Sequence, residues 1–206
     1  VDGSAVIRNS AGATIAGISA GTAQISNDAA TINVPATDYG IVLAEGGSVT
    51  NSNGGRIEGG PIAIYLYENG GTVINGAGST IASTSTGIHA FGDTNVVNAG
   101  AIEGNVWLEE EASNSVTLLT GSRITGDLHI GSNSTSRLIL DGAGTQLYSD
   151  AVTNDTVFAS TVVKQGSGTW TIDKHIDATV FNIDAGTLVL GSATQAGSVA
   201  ATVYAN

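Results

Sequence analysis

Apolar and polar residues alternate along the chain in bursts of only three to five positions, rich in Val, Ile and Thr and bounded by Gly, Asn, Asp and Ser. This is the pattern of short strands joined by turns, and no stretch shows sustained helical spacing. The bursts recur in a unit of the form Val/Ile-x-Asn-x-x-Gly-x-Ile-x-Gly. It reads IRNSAGATIAG from Ile7, VTNSNGGRIEG from Val49, VINGAGSTIAS from Val73, VVNAGAIEG from Val96 and VTLLTGSRITG from Val116. The anchors Ile57, Ile81, Ile102 and Ile124 lie 24, 21 and 22 residues apart.

Before each unit comes a second alternation: Ile41-Val42-Leu43, Ile64-Tyr65-Leu66, Ile88-His89-Ala90, Val106-Trp107-Leu108 and Leu128-His129-Ile130. Each period of 21–24 residues therefore carries three short strands, the size of one coil of a parallel β-helix. A single coil cannot bury its own apolar side. Stacked at about 4.8 Å, successive coils bury a continuous aliphatic column and pair each other's backbone. Loops between strands tolerate length changes, whereas a one-residue slip in a strand turns its core residues outward. The predicted fold is all-β, a parallel β-helix, in one segment spanning residues 1–206. Its coils are regular over 1–130 and looser over 131–206.

Asn9, Asn27, Asn51, Asn75 and Asn98 recur near the end of the same strand. Asparagine tolerates a left-handed turn backbone, and stacked Asn side chains hydrogen-bond along a column, so these residues read as structural. Beyond residue 130 two segments, Val163–Ile172 and Phe181–Leu190, share a Gly-Thr-apolar-x-apolar form, and 173–177 between them reads as a surface loop.

Composition narrows the function. The 206 residues include 29 Gly, about twice the average share, which disfavours a helical protein, while 41% apolar residues suffice for a core. Eighteen acids against six bases give a formal charge of −12, the opposite of a nucleic-acid or anionic-membrane footprint. Absence of Cys removes disulfides, thiolate catalysis and Cys-ligated zinc. The longest apolar stretch, 61–67, is too short to span a bilayer, and the first residues carry no signal pattern, so a mature or excised soluble segment is expected.

The two late segments resemble the passenger-associated repeat of Gram-negative autotransporters, worded close to Lys-x-Gly-x-Gly-Thr-Leu-x-Leu and then Gly-Thr-Leu-x-Leu. Lys164, Gly166, Gly168 and Thr169, then Gly186, Thr187, Leu188 and Leu190, carry the match, and the coil at 96–104 is similar to passenger coils of this family. The resemblance implies a right-handed β-helix of the pertactin-like, adhesin type, exposed on or released from the bacterial surface. It also implies that the carboxy-terminal coils fold first and template the rest during secretion. Neither the linker helix nor the strands of a translocator barrel occurs in the sequence, so at most part of a passenger is expected, with membrane attachment only through that barrel.

The sequence contains no Walker loop or dinucleotide fingerprint, and no cofactor is expected. His89, His129 and His175 are too dispersed for one zinc, and Glu109-Glu110-Glu111 reads as a solvated acidic loop, so no metal site is assigned. The outward column Glu58, Ala82, Glu103, Thr125 lacks the regular carboxylates of a polysaccharide lyase, and no base is expected beside it. The expectation is a non-enzyme.

One feature stands apart. With Ile64/Leu66, Ile88/Ala90 and Val106/Leu108 inward, Tyr65, His89 and Trp107 point out, and the next outward positions are Tyr67, Phe91 and Glu109. Tyr65, Tyr67, His89, Phe91 and Trp107 thus gather on one face, bordered by Glu68, Glu109, Glu110 and Glu111. Two readings stand: a ladder that stabilises the sheet or lies under a folded-over loop, and an exposed contact surface. On the second, the face mediates adhesion to a host surface protein or glycan, or homotypic association of cells, weakened at low salt by the net charge. The alternatives are a lyase- or tailspike-like β-helix and a pure stalk.

Overall fold

The computed structural model describes residues 4–131, 133–154 and 157–191, together with the backbone of 202–205. The described chain is a parallel β-solenoid with three strand-bearing faces. The first face is a ten-stranded sheet that opens with Ser4–Ser10, Thr22–Asp28, Gly47–Ser52 and Gly71–Asn75 and ends with Val180–Ile183 and Thr202–Ala205. Every neighbouring pair in it is parallel and separated by one coil. The second face carries Thr14–Ile15, Thr31–Asn33 and Arg56–Glu58, and the third Ile18–Ala20, Ile41–Leu43 and Ile62–Leu66. In the next two coils the second and third faces fuse into single long strands, Thr80–Ala90 and Ala101–Leu108, whose mutual register shifts twice between Ala82 and Ile88.

The pairing places like on like. Ile15, Ile32, Ile57, Ile81, Ile102 and Ile124 form one column of paired positions, of which the last five are fully buried. On the third face Ile18, Ile41, Ile64, Ile88, Val106 and Leu128 form a second column, and on the first face Ile25, Val49, Val73, Val96 and Val116 a third. Each fully buried aliphatic side chain contributes about 1.5–3 kcal/mol of transfer free energy. Ile32 belongs to the column although the short coil around it departs from the repeat pattern seen elsewhere.

The asparagine ladder is continuous. Each Nδ2 donates to the Oδ1 of the next residue, Asn9 to Asn27 at 2.8 Å, Asn27 to Asn51 at 2.8 Å, Asn51 to Asn75 at 3.0 Å and Asn75 to Asn98 at 2.9 Å. The same amides donate to turn carbonyls, for example Asn51 to Gly55 and Thr80, both at 3.0 Å. The ladder residues stay in strand backbone. The left-handed corner falls two or three positions later, at Ala29, Asn53, Gly54 and Gly78, so the expectation that the asparagines themselves turn the chain is corrected. Their amides are instead held inside the corner, where they give a second donor to carbonyls such as those of Ala30, Gly55 and Ser79, which also accept a backbone amide from the next coil.

Leu118 replaces Asn in the next rung, and the same column continues through Leu140 to Lys164. Lys164 is fully buried, and its Nζ donates to the carbonyls of Gln165, Gly166 (3.0 Å) and Ala185 (3.3 Å). An ammonium here takes over the role of the amides, tying the corners of two coils together. Burial pulls its pKa down, opposed by Asp141. Gly186, at φ +73°, has no room for a side chain, since a Cβ would strike the carbonyls of Gly166 and Gly168 and the Lys164 amine. Trp170 lies fully buried beside this corner, its Nε1 donating to the Asp141 carbonyl at 2.9 Å.

Past residue 130 the first face runs on unbroken, while the second becomes a separate sheet of Thr145–Leu147, Thr169–Ile172 and Thr187–Leu190, and the third a strand pair, Val157–Phe158 with Ile176–Asp177. A four-residue helix, Tyr148–Ala151, occupies one corner, with Tyr148 buried. The segment 173–177 is not the surface loop expected of it. Ile176 is fully buried in the strand pair, and Asp173 accepts hydrogen bonds from the Ser149 amide (2.9 Å) and hydroxyl (2.5 Å).

Replacing Asn51 by Leu leaves the buried Asn75 Oδ1 without its donor and strips the side-chain hydrogen bonds from the Gly55 and Thr80 carbonyls, the first of which keeps the Thr80 amide. The expected loss is about 2–3 kcal/mol, read as a lowered urea midpoint, given about 1–3 kcal/mol for an unsatisfied buried polar group.

Candidate functional site

The third face of the rod is built by Ile41–Leu43, Ile62–Leu66, the second half of Thr80–Ala90 and the second half of Ala101–Leu108. Parallel register puts Val42, Tyr65, His89 and Trp107 in one column, followed by His129. Beyond the strand ends the hydrogen bonding continues, Tyr67 N donating to Leu43 O (2.8 Å), Phe91 N to Leu66 O (3.1 Å) and Glu109 N to Ala90 O (3.0 Å), which aligns the second column. Both columns therefore stand where the alternation places them.

The rings form one compact cluster and one separate pair. Tyr65 is its centre, with ring centroids 5.5 Å from Tyr39, 4.3 Å from Tyr67, 5.1 Å from His89 and 5.9 Å from Phe91. Phe91 stacks on Tyr67 (5.7 Å, 10°) and on His89 (4.9 Å, 27°). One step along the rod, Trp107 stacks on His129 at 4.4 Å and 18°.

Exposure divides the group. Tyr65 is only 8% exposed, whereas Tyr39, Tyr67 and Phe91 are each 42% exposed and Trp107 is 41% exposed. Tyr65 is thus removed from any contact surface: it points outward but serves as the floor on which the other rings rest. Burial, with the Tyr67 hydroxyl beside it, pushes its pKa up to about 12. The inner rings form a ladder and the outer ones leave an open apolar surface. Tyr39 was not among the residues singled out from the sequence. It lies in the 35–40 connection rather than in the alternating strand, and only its approach to Tyr65 brings it to the face.

The acidic residues stand where expected, beside the rings. His89 Nε2 lies 3.0 Å from Glu109 Oε1, and His129 Nε2 lies 3.8 Å from Glu110 Oε1. The turn bearing Glu109, Glu110 and Glu111 is braced by the buried Asn114, whose Nδ2 donates to Glu109 O (2.8 Å) and Ile130 O (2.9 Å). Asn133 holds Glu111 O at 3.1 Å. Two recesses flank the aromatic cluster. One, of about 520 Å³, has Asp38 and Tyr39 in its wall with Ser19 and Val42. The other, of about 310 Å³, is walled by Phe91, Glu68, Asp93 and Glu111.

On the second face the expectation that Glu58 and Glu103 lack a basic neighbour is corrected. Arg56 Nε donates to Glu58, and its Nη2 lies 3.8 Å from Glu103. The register explains this: Arg56 is two residues from Glu58 on the same outward side, and the Glu58 and Glu103 positions are separated by the short side chain of Ala82. The remaining site assignments, Asn51, Asn75, Asn98, Gly166, Gly168 and Gly186, all lie in the corner network described above.

No family model, curated protein or solved structure matches the chain.

The cluster geometry separates two kinds of substitution. Tyr65→Ala removes the central ring and is expected to cost about 3–4 kcal/mol, the range for a buried aromatic, whereas Phe91→Ala costs under about 1.5 kcal/mol; urea unfolding of the two variants checks the ratio. A Tyr whose folded pKa is raised is most stabilising below the unfolded value of about 10. Stability therefore falls as pH rises from about 10 through about 12, and Tyr65→Phe makes the fall shallower, the buried Tyr148, whose pKa burial also raises, keeping the remainder.

Proposed function

We propose that the chain is a non-enzymatic segment of a bacterial surface protein, a β-helical passenger of autotransporter type that mediates adhesion through its third face. The observation that carries this reading is the set of exposed rings, Tyr39, Tyr67, Phe91 and Trp107, seated on one side of a rod whose other residues of similar size are mostly buried. Large flat side chains on a rigid sheet lose little conformational entropy on contact and are enriched where partners bind. A solenoid suits the role because its stability is a sum of neighbouring-coil contacts, so outward positions vary without disturbing the core.

The Lys-x-Gly-x-Gly-Thr segment supports the passenger assignment. Its residues are the ones that close a coil corner: Lys164 fills three carbonyls, Gly166 takes positive φ, and Gly168 packs where a Cβ would meet the Gly144 carbonyl. On this reading the protein is displayed at or released from the outer surface of a Gram-negative cell, and its partner is a host surface molecule or a neighbouring cell.

The test is cell adhesion and autoaggregation by bacteria displaying the protein with Tyr67→Ala, Phe91→Ala and Trp107→Ala combined. Adhesion is expected to fall about tenfold or more, the equivalent of roughly 1.4 kcal/mol, with far-ultraviolet circular dichroism unchanged. Full adhesion by the folded variant rejects the face.

A further inference from the structure

The charge distribution around the third face is one-sided. Along the stretches that build it and its trailing turns, 38–45, 62–70, 86–93, 106–113 and 127–131, there are eight acidic residues and no Lys or Arg. The six basic residues fall elsewhere: Arg8 and Arg137 on the first face, Arg56 and Arg123 on the second, Lys164 in the buried corner, and Lys174 with its Nζ on the Thr153 carbonyl at 2.6 Å. An apolar sheet face rimmed only by carboxylates repels a second copy of itself and any acidic polymer.

The two recesses make the complementarity local. Each combines an exposed aromatic wall with carboxylates: Tyr39 with Asp38 in one, Phe91 with Glu68, Asp93 and Glu111 in the other. A cation over a ring face with a carboxylate beside it gains both cation–π and charge-assisted hydrogen-bond energy, and guanidinium, planar and weakly hydrated, gains most. Tyr39 and Phe91 both contact the Tyr65 ring, at 5.5 and 5.9 Å, from opposite neighbouring coils. One recess lies at the start of the third-face strands and the other past their ends, so they are two rungs apart along the rod, about 10 Å, and about five strand positions apart across it, about 16 Å; together that is about 19 Å, the reach of about six residues of extended chain.

Resting on the adhesive reading of this face, we infer that its partner is a basic protein segment in extended conformation, with Arg or Lys side chains about six residues apart that enter the two recesses while its backbone crosses the aromatic cluster. The recognition is by charge and ring stacking together, so it weakens as salt rises and is lost when either component is removed.

The probe is a synthetic 12-residue Gly/Ser peptide with two Arg about six positions apart, beside the same peptide with Gln for Arg. Binding is followed by the fluorescence of Trp107, the exposed member of the two tryptophans, in a Trp170→Phe background or by calorimetry on the unaltered chain. Expected results are binding of the Arg peptide alone and a loss of about tenfold or more in the combined Asp38→Asn, Glu68→Gln, Glu111→Gln variant. A similar loss is expected in Tyr67→Ala with Phe91→Ala, and unchanged binding in Glu103→Gln, Asp150→Asn, Asp184→Asn, which removes three acids off the face. Equal loss in that last variant, or none in the first, overturns the inference. So does binding of a neutral oligosaccharide, or self-association in sedimentation, that requires the same rings while the Arg peptide fails to bind; those results leave the adhesive face intact. Arg-peptide binding with full adhesion by the ring-deleted cells retains the basic-segment site and rejects the adhesive role.

Discussion

Register between coils is the constraint on which everything else in this protein depends. Each strand pairs with the equivalent strand one coil away, so every side chain is stacked on the residue that holds its own position in the next coil. A stack of identical shapes succeeds only if the shapes tolerate their own repetition. Isoleucine and valine do so by packing, asparagine by donating to its neighbour and accepting from the one before, and glycine by leaving the space a neighbouring carbonyl occupies. A slip of one residue would place the Ile column in water and the ring column in the core.

The same constraint explains how the rod carries a binding surface at little cost to its core. Outward residues stack too, and rings placed in successive coils are brought to about 5–6 Å whether or not they serve a partner. Once several are aligned, geometry divides them: the central ring is covered by its neighbours and the peripheral ones remain open. Tyr65 is accordingly a structural residue and Tyr67 a surface one, although they alternate on a single strand and its extension, and Phe91 in the next coil stays open as well.

The corner that begins with Asn9 and ends at Lys164 and Ile183 shows one problem solved in different ways along one column. Bending the chain between the first and second faces turns carbonyl groups inward, and they receive an added amide donor in the early coils and an ammonium near Lys164. In between, Leu118 and Leu140 occupy the position as aliphatic core, and carbonyls at that corner find other donors, such as Gln146 Nε2 on Ser122 O at 2.9 Å. The polar column and the aliphatic one are thus alternative fillings of one site, the polar one adding donors to the inward carbonyls of the turn.

Much of this was legible in the amino-acid order because a solenoid converts sequence periodicity directly into contacts. The interval between Ile57, Ile81, Ile102 and Ile124 is the coil, the alternation at 64–66 and 88–90 is the facing of the side chains, and the recurrence of Asn is the ladder. Those are one-dimensional facts, since each coil touches only its neighbours. What the order of residues did not determine lies in the irregular connections and in the depth of each outward side chain. Tyr39 joins the cluster from a loop, Arg56 swings onto two carboxylates because Ala82 leaves room, Ile176–Asp177 is drawn into a strand by Val157 and Phe158, and Tyr65 is covered while Tyr67 is not. Each of these depends on how far a side chain reaches across a surface already folded. Periodicity encodes which way a residue points; only the packed structure decides what else arrives at the same place.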